Sequence, residues 1–309
     1  MDVKKENDLL EETLSIAGED YAQAYRFLLA AYEKTPQNFG PQTLYFLACL
    51  AGGAELPEAA LGWLRKAITE NGWWYRPEVL VDDDLAQLED NPEFLALKAC
   101  SDARYQKAAA AAKPVFSWSG KSACHLFLAV HGNTQNAQTA RADWEPVFAE
   151  DSRWQLETIQ SAEPDGYGTY RWSYDEVSFL PVAGALERMQ GEGYEKIVCG
   201  GFSAGCDMLL RAIALTPARC DCLVLQSPWI PFLQEHADAL TQALRQKEIA
   251  LRIFCGADDE DCLPLAEQLF AAAKKAGLSV TLTVQENSRH QFPEKPYTIH
   301  ELLQPEALA

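Results

Sequence analysis

The sequence predicts an α/β domain on a mostly parallel sheet, preceded by an all-α domain, and three observations carry that expectation. From Val115 onward, short β-rich runs alternate with helix-length segments, the pattern of successive βαβ units. Before about residue 107 no strand pattern occurs, and apolar residues return at intervals of three and four, as in Tyr21, Tyr25, Leu28, Leu29 and Tyr32. Between these regions the alanine run from Lys107 to Lys113, closed by Pro114, is a compositional break that should end a helix. The boundary is therefore set at 110: residues 1–110 form the helical domain and 111–309 the sheet domain. A chain of 309 residues suits two domains at about 100 to 200 residues each.

In the first domain, Pro36, Gly40-Pro41, Gly52-Gly53, Pro57, Gly72, Pro77 and Asn91-Pro92 punctuate amphipathic helices near 6–17, 19–34, 41–52, 57–70 and 92–107. In the second, strands are expected at Ala123 to Val130, Trp154 to Gln160, Lys196 to Gly200, Cys222 to Gln226, Ala250 to Cys255 and Val280 to Gln285, with an edge strand near Val115 to Trp118. Helices should fill Ala137 to Ala149, Asp175 to Gln190, Ala204 to Leu215, Glu235 to Gln246 and Leu263 to Ala276. Ligands of such sheets bind beyond the carboxyl ends of the strands, so the loops opening at His131, Ser161, Ser203, Ser227 and Gly256 share the rim where chemistry belongs.

Composition narrows the partners. With 26 Lys and Arg against 45 Asp and Glu the net charge is −19, and both sides of Lys113 are acidic, so a phosphate-backbone footprint cannot be built and nucleic acid is not an expected partner. The longest apolar runs fall far short of the ~18 residues a bilayer span needs. The charged N-terminus is not followed by an apolar segment, so the expectation is a cytoplasmic protein. Nine cysteines sit mostly in apolar runs; Cys220 and Cys222 could suggest metal or redox chemistry, but no second Cys or His pair stands at zinc spacing, so buried thiols, with no metal or organic cofactor, are expected.

The strand at 196–200 runs into Gly201-Phe202-Ser203-Ala204-Gly205 and then a helical pattern, placing Gly-x-Ser-x-Gly at a strand-to-helix turn. Such a turn brings two backbones together, so Gly201 and Gly205 remove Cβ atoms that would collide, while Ser203 is held at the tip. The helix start at Ala204 offers free N–H groups and a positive dipole end to a developing oxyanion. Of five histidines, His290 lies just past the last strand on the same rim and is the candidate base; His131 reads as structural, His125 as a core or edge residue, and His236 and His300 as surface residues. The run Asp258, Asp259, Glu260, Asp261 follows the preceding strand, and one member need only turn inward to orient the imidazole. His131-Gly132-Asn133 could direct a second N–H, that of Asn133, at the oxyanion, with Gly132 allowing close approach. Trp172 and Trp229 place aromatics at the rim as candidate substrate-binding residues, with core packing the competing reading.

Two resemblances follow from these residues. Leu44 to Ala51, a turn and Glu58 to Ile68 resemble one tetratricopeptide unit, and Asp84 to Phe94 looks like the segment that closes such arrays, so the N-terminal domain is expected to be tetratricopeptide-like: a helical cap, or a groove for a protein or peptide partner. His131-Gly132-Asn133, Gly201 to Gly205, Gly256-Ala-Asp-Asp259 and Arg289-His290 resemble the α/β-hydrolases over about 115–300, nearest to small carboxylesterases, acyl-thioesterases and dienelactone hydrolases. The resemblance implies an α/β-hydrolase fold, with Asp259 as the acid because it stands three residues after the strand-ending glycine, and Asp258 in reserve. It also implies the oxyanion donors Ala204 and Asn133. The segment from Pro228 to Glu248 is short and the family's first strands are missing, which disfavours a long-chain lipase. The expected activity is a Ser203–His290–Asp259 hydrolase acting on a small ester or thioester; a peptidase with the same triad and a catalytically silent helical adaptor are the alternatives.

Overall fold

In the computed structural model, which describes residues 3–293 and 295–304, the chain divides into two units. One holds the N-terminal residues through Ala112 together with Pro164–Gly168; the other holds Lys113–Glu163 and the chain from Thr169 onward. A single cut at residue 110 assigns Pro164–Gly168 to the second domain, whereas this short segment joins the first.

The first unit contains α1 (Val3–Ala17), α2 (Tyr21–Lys34), α3 (Pro41–Gly53), α4 (Pro57–Arg65) and α5 (Pro92–Ala111). Helix α4 ends in a π turn over Lys66–Glu70, and two 3₁₀ turns at Pro77–Leu80 and Asp83–Leu88 lead to α5. Its core is built on Leu28, Leu44, Leu47, Leu61, Leu64 and Ile68, the residues the helical period aligns. Gly52 and Gly53 end α3 and also permit close contact: a Cβ on Gly52 would lie 1.9 Å from the Asp84 carbonyl oxygen, and one on Gly53 2.2 Å from the Tyr21 ring. Helix α5 continues past 107 to Ala111 because alanine is the best helix former, and it stops where Pro114 restricts the preceding residue. Within this unit Asp165 accepts from Arg76 Nε at 2.6 Å and the Tyr167 N–H donates to the Trp74 carbonyl at 2.9 Å.

The second unit is a sheet of seven strands in the order β1-β3-β2-β6-β7-β8-β9. These are β1 (Val115–Phe116), β2 (His125–Val130), β3 (Trp154–Gln160), β6 (Lys196–Phe202), β7 (Cys222–Gln226), β8 (Ala250–Gly256) and β9 (Val280–Gln285). Only β1 runs antiparallel, against β3. The helices are α6 (Ala137–Trp144), α7 (Glu176–Gln190), α8 (Ala204–Leu215), α9 (Phe232–Gln246), α10 (Leu263–Lys275) and α11 (Ile299–Leu303). Leu126, Leu128 and Val130 enter one core with Leu209, Leu223 and Leu225, while Phe127 and Ala129 enter the other with Trp144, Val224 and Phe254. This alternation explains why β2 reads as an unbroken apolar run: both faces are covered.

Three local features depart from the sequence reading. The segment after β3 contains a hairpin, β4 (Glu163–Gly166) and β5 (Thr169–Arg171), where a loop was expected. Helix α6 gives way to a 3₁₀ turn over Glu145–Phe148, because Pro146 cannot donate to the helical ladder. Helix α9 begins at Phe232 and kinks at His236, whose φ is −128°. The topology has one further consequence. From β2 the chain moves first to β3 and then back past β2 to β6, so the order reverses between β2 and β6, and a crevice belongs at the ends of these two strands.

Candidate active site

The loops at that reversal carry His131-Gly132-Asn133 and Ser203. Ser203 is the turn residue between β6 and α8, with φ 52° and ψ −124°, a left-handed conformation that L residues avoid. Such strain costs on the order of 1 to 3 kcal/mol. It is offset by α8, which buries Met208, Leu209, Leu210 and Ile213 completely, at roughly 1.5 to 3 kcal/mol per large apolar side chain. Glycine makes the turn possible: a Cβ on Gly201 would sit 2.8 Å from the Cys206 nitrogen, and one on Gly205 2.5 Å from the carbonyl oxygens of both Val130 and His131. From the other side, a Cβ on Gly132 would lie 2.9 Å from the Phe202 ring and 3.2 Å from Ser203 Cβ. The His131 loop is thus pressed directly against the serine.

The N–H groups around the turn divide into used and unused. Ser203 N–H donates to the Gln226 carbonyl at 3.1 Å, Cys206 N–H to the Ser203 carbonyl at 3.0 Å, and Gly132 N–H to Gln135 Oε1 at 2.9 Å. Among the described residues, no protein acceptor takes the N–H of Ala204 or Asn133. Asn133 is fixed through its side chain, which accepts from the Trp172 N–H at 2.9 Å and donates to the Tyr174 hydroxyl at 3.2 Å.

His131 is fully buried between two fixed partners. The Ser161 N–H donates to Nε2 at 3.1 Å, so Nε2 is the unprotonated nitrogen, and Nδ1–H donates to the Gly132 carbonyl at 2.6 Å. Burial pushes its pKa down to about 4, outweighing the Gly132 carbonyl that favours the proton. A neutral ring with both nitrogens engaged is a structural element, as the sequence suggested. Trp172 stacks on it with ring centroids 4.7 Å apart and donates its indole N–H to the His131 carbonyl at 2.8 Å. At 1% exposure Trp172 lies beneath the loop, which corrects its reading as a substrate-binding residue; Trp229 is 38% exposed.

On the neighbouring strands, Asp259 and His290 meet. Asp259 Oδ2 accepts from His290 Nδ1 at 2.9 Å, and its Oδ1 accepts from the Cys262 N–H at 3.2 Å. Nε2 of His290 is then left to accept a proton. Asp259 is 4% exposed, whereas Asp258, Glu260 and Asp261 are solvent-facing, so of the four acids only Asp259 turns inward. Burial opposes ionisation of Asp259, but the His290 hydrogen bond and charge, the Cys262 N–H and the Ser227 hydroxyl together hold its carboxyl below the usual range. Gly256 makes the meeting possible, since a Cβ there would lie 2.1 Å from the Ser288 carbonyl oxygen and 2.5 Å from that of Arg289. The His290 ring packs on Phe202, next to Ser203, with centroids 5.0 Å apart.

Several neighbours were not singled out from the sequence. Gln135 takes up the Gly132 N–H; Tyr174, at φ 65°, holds the Asn133 side chain. Ser227, fully buried at φ 45°, reaches Asp259. Cys262 places Sγ 3.5 Å from His290 Nδ1. Their signal was slight: Gln135 and Ser227 follow strand ends by a few residues, and Cys262 stands one helical turn after Asp259.

The family model described as A/B hydrolase-like, N-terminal domain matches residues 5–109. No curated protein matches the chain. A solved structure of an uncharacterized protein from Bacillus cereus ATCC 10987 is similar over 97% of this chain and 96% of that one, with 26% identity and a TM-score of 0.53. Esterase PE8 is matched over 59% of this chain and 92% of its own, at 14% identity and TM-score 0.47. Acyl-protein thioesterase 2 of Zea mays is matched over 63% and 96%, at 16% and 0.44. Among the described residues no helix is long and apolar enough to cross a membrane. The chain has the α/β-hydrolase fold, preceded by a helical region that the A/B hydrolase-like N-terminal model matches.

Proposed function

We propose that the protein is a serine hydrolase of small carboxylic esters or thioesters. Ser203 Oγ attacks the acyl carbonyl while His290 Nε2 takes its proton and then returns it to the leaving group. Asp259 fixes the imidazole tautomer with Nδ1–H and stabilises the cation that forms. The N–H groups of Ala204 and Asn133, each unspent on protein acceptors, receive the oxyanion, at about 3 to 4 kcal/mol of transition-state stabilisation per donor. Water then repeats the cycle on the acyl-enzyme. The observation that carries this reading is the 2.9 Å Asp259–His290 bond at the same strand ends as the strained Ser203.

The test is a panel of p-nitrophenyl esters, acyl thioesters and aminoacyl p-nitroanilides, run with wild-type protein and Ser203→Ala. Ester or thioester turnover that Ser203→Ala lowers by about 10⁴-fold or more is the expected outcome. Faster turnover of the anilides would make it a peptidase, and turnover indifferent to Ser203 would remove the mechanism.

A further inference from the structure

The Asp259–His290 pair has a third member that serine chemistry does not use. Cys262 is 1% exposed, and its Sγ lies 3.5 Å from the same Nδ1 that Asp259 holds at 2.9 Å. One ligand atom from each of Asp259, Cys262 and His290 lies within 4.8 Å of the others. A four-coordinate zinc ion with Zn–S of ~2.3 Å and Zn–N and Zn–O of ~2.05 Å separates sulfur from nitrogen by about 3.5 Å and nitrogen from oxygen by about 3.3 Å. The first spacing is already present, and the second needs an opening of a few tenths of an ångström. Sequence spacing could not reveal this set, because the histidine comes from a separate loop 28 residues away.

We propose that Asp259, Cys262 and His290 form an inhibitory site for a thiophilic divalent cation, with zinc as its representative and water in the fourth position. The coordination is independent of the serine hydrolase reading; the inhibition rests on it. On binding, Cys262 releases its thiol proton to solvent and coordinates as thiolate. His290 coordinates through Nδ1, so the proton of the neutral ring moves to Nε2. Asp259 exchanges its hydrogen bond for a bond to the metal. With Nε2 protonated, the ring can no longer accept the Ser203 proton, and acyl transfer stops.

The binding test uses Ser203→Ala protein, freed of metal by chelation and titrated with Zn²⁺ by calorimetry and with Co²⁺ by absorbance. One ion per chain is expected, with a thiolate-to-cobalt charge-transfer band that disappears in Cys262→Ser and zinc affinity that falls roughly tenfold or more. Asp84→Asn, which alters a second cluster of suitable donors among the described residues, Cys49, Asp82 and Asp84, and Cys124→Ser, at an exposed thiol, should leave both readouts unchanged. A band that survives Cys262→Ser, or is lost with Asp84 or Cys124 instead, overturns the site.

In wild-type protein, zinc should suppress ester turnover and EDTA should restore it, and whatever turnover Cys262→Ser retains should need roughly tenfold or more zinc for the same fractional suppression. Binding without suppression overturns the switch. Binding to a protein with no ester turnover at all would support the cation site and refute the serine reading, so the two failures are distinguishable.

Discussion

The Ser203 turn and the Asp259–His290 pair occupy the same end of the sheet but are assembled differently. The turn is coded locally: Gly201, Ser203 and Gly205 lie within five residues, and the apolar face of α8 holds the strained φ of 52° in place. From elsewhere it is met by the backbone from Val130 to Gly132, the Gln226 carbonyl and the His290 ring on Phe202. The pair is a tertiary product, made from two loops 31 residues apart that touch through the bare backbone of Gly256. A local motif of this kind survives changes in the pair, whereas the pair fails when either loop moves.

The largest effect should come from breaking the pair while leaving the turn intact. Asp259→Asn is expected to lower kcat/KM for the best ester by about 10⁴-fold, because the imidazole loses its tautomer and its cation loses a counter-charge. Asp258→Asn, at an exposed position, should leave the rate within about twofold of wild type. Similar losses for the two variants in steady-state kinetics would show that the pair had been assigned to the wrong acid.

The next effect separates the buried structural histidine, His131, from the proposed base, His290. His131 has its folded pKa depressed to about 4, against an unfolded value near 6.5. Between these values the unfolded chain binds more protons, so its stability contribution is complete above about pH 6.5 and is lost as pH falls toward 4. At about 1.4 kcal/mol per pH unit the loss is roughly 3 kcal/mol. Thermal unfolding from pH 7.5 to 4 should show this component in wild type and lack it in His131→Gln. An unchanged profile would mean that the buried ring protonates without cost.

The smallest effect tests the contact between the two loops of the pair. Gly256→Ala forces a Cβ against the Ser288 and Arg289 carbonyls, and such overpacking costs roughly 1 to 3 kcal/mol. Thermal unfolding should report that loss, and activity should fall further than stability alone explains, because His290 is displaced. Wild-type activity with reduced stability would show that the His290 loop finds its position without this contact.

What could be read from the chain follows the same division. Strand and helix positions were legible because β2, β6 and β7 carry apolar runs between helical periods, and both faces of the sheet are covered. The turn was legible because its steric demand is met by neighbouring residues. The hairpin Glu163–Arg171 was not, since Pro164, Gly166 and Gly168 are loop residues by composition, and the bridges of Gly166 to Tyr75 and of Tyr170 to Gln135 join residues far apart in sequence. Trp172 was ambiguous because an aromatic at a rim and one under a loop have the same sequence neighbours; the hydrogen bond from its indole to His131 decides between them. The burial of Asp259 and the approach of Cys262 to His290 depend on how two distant loops close, which no local pattern encodes.

Covalent capture of the nucleophile tests the central claim most directly. Protein treated with a fluorophosphonate probe, digested and analysed by peptide mass spectrometry should carry one adduct, on Ser203, at a rate that drops sharply in His290→Ala. An adduct on another serine, or Ser203 labelling at the same rate without His290, would contradict the account.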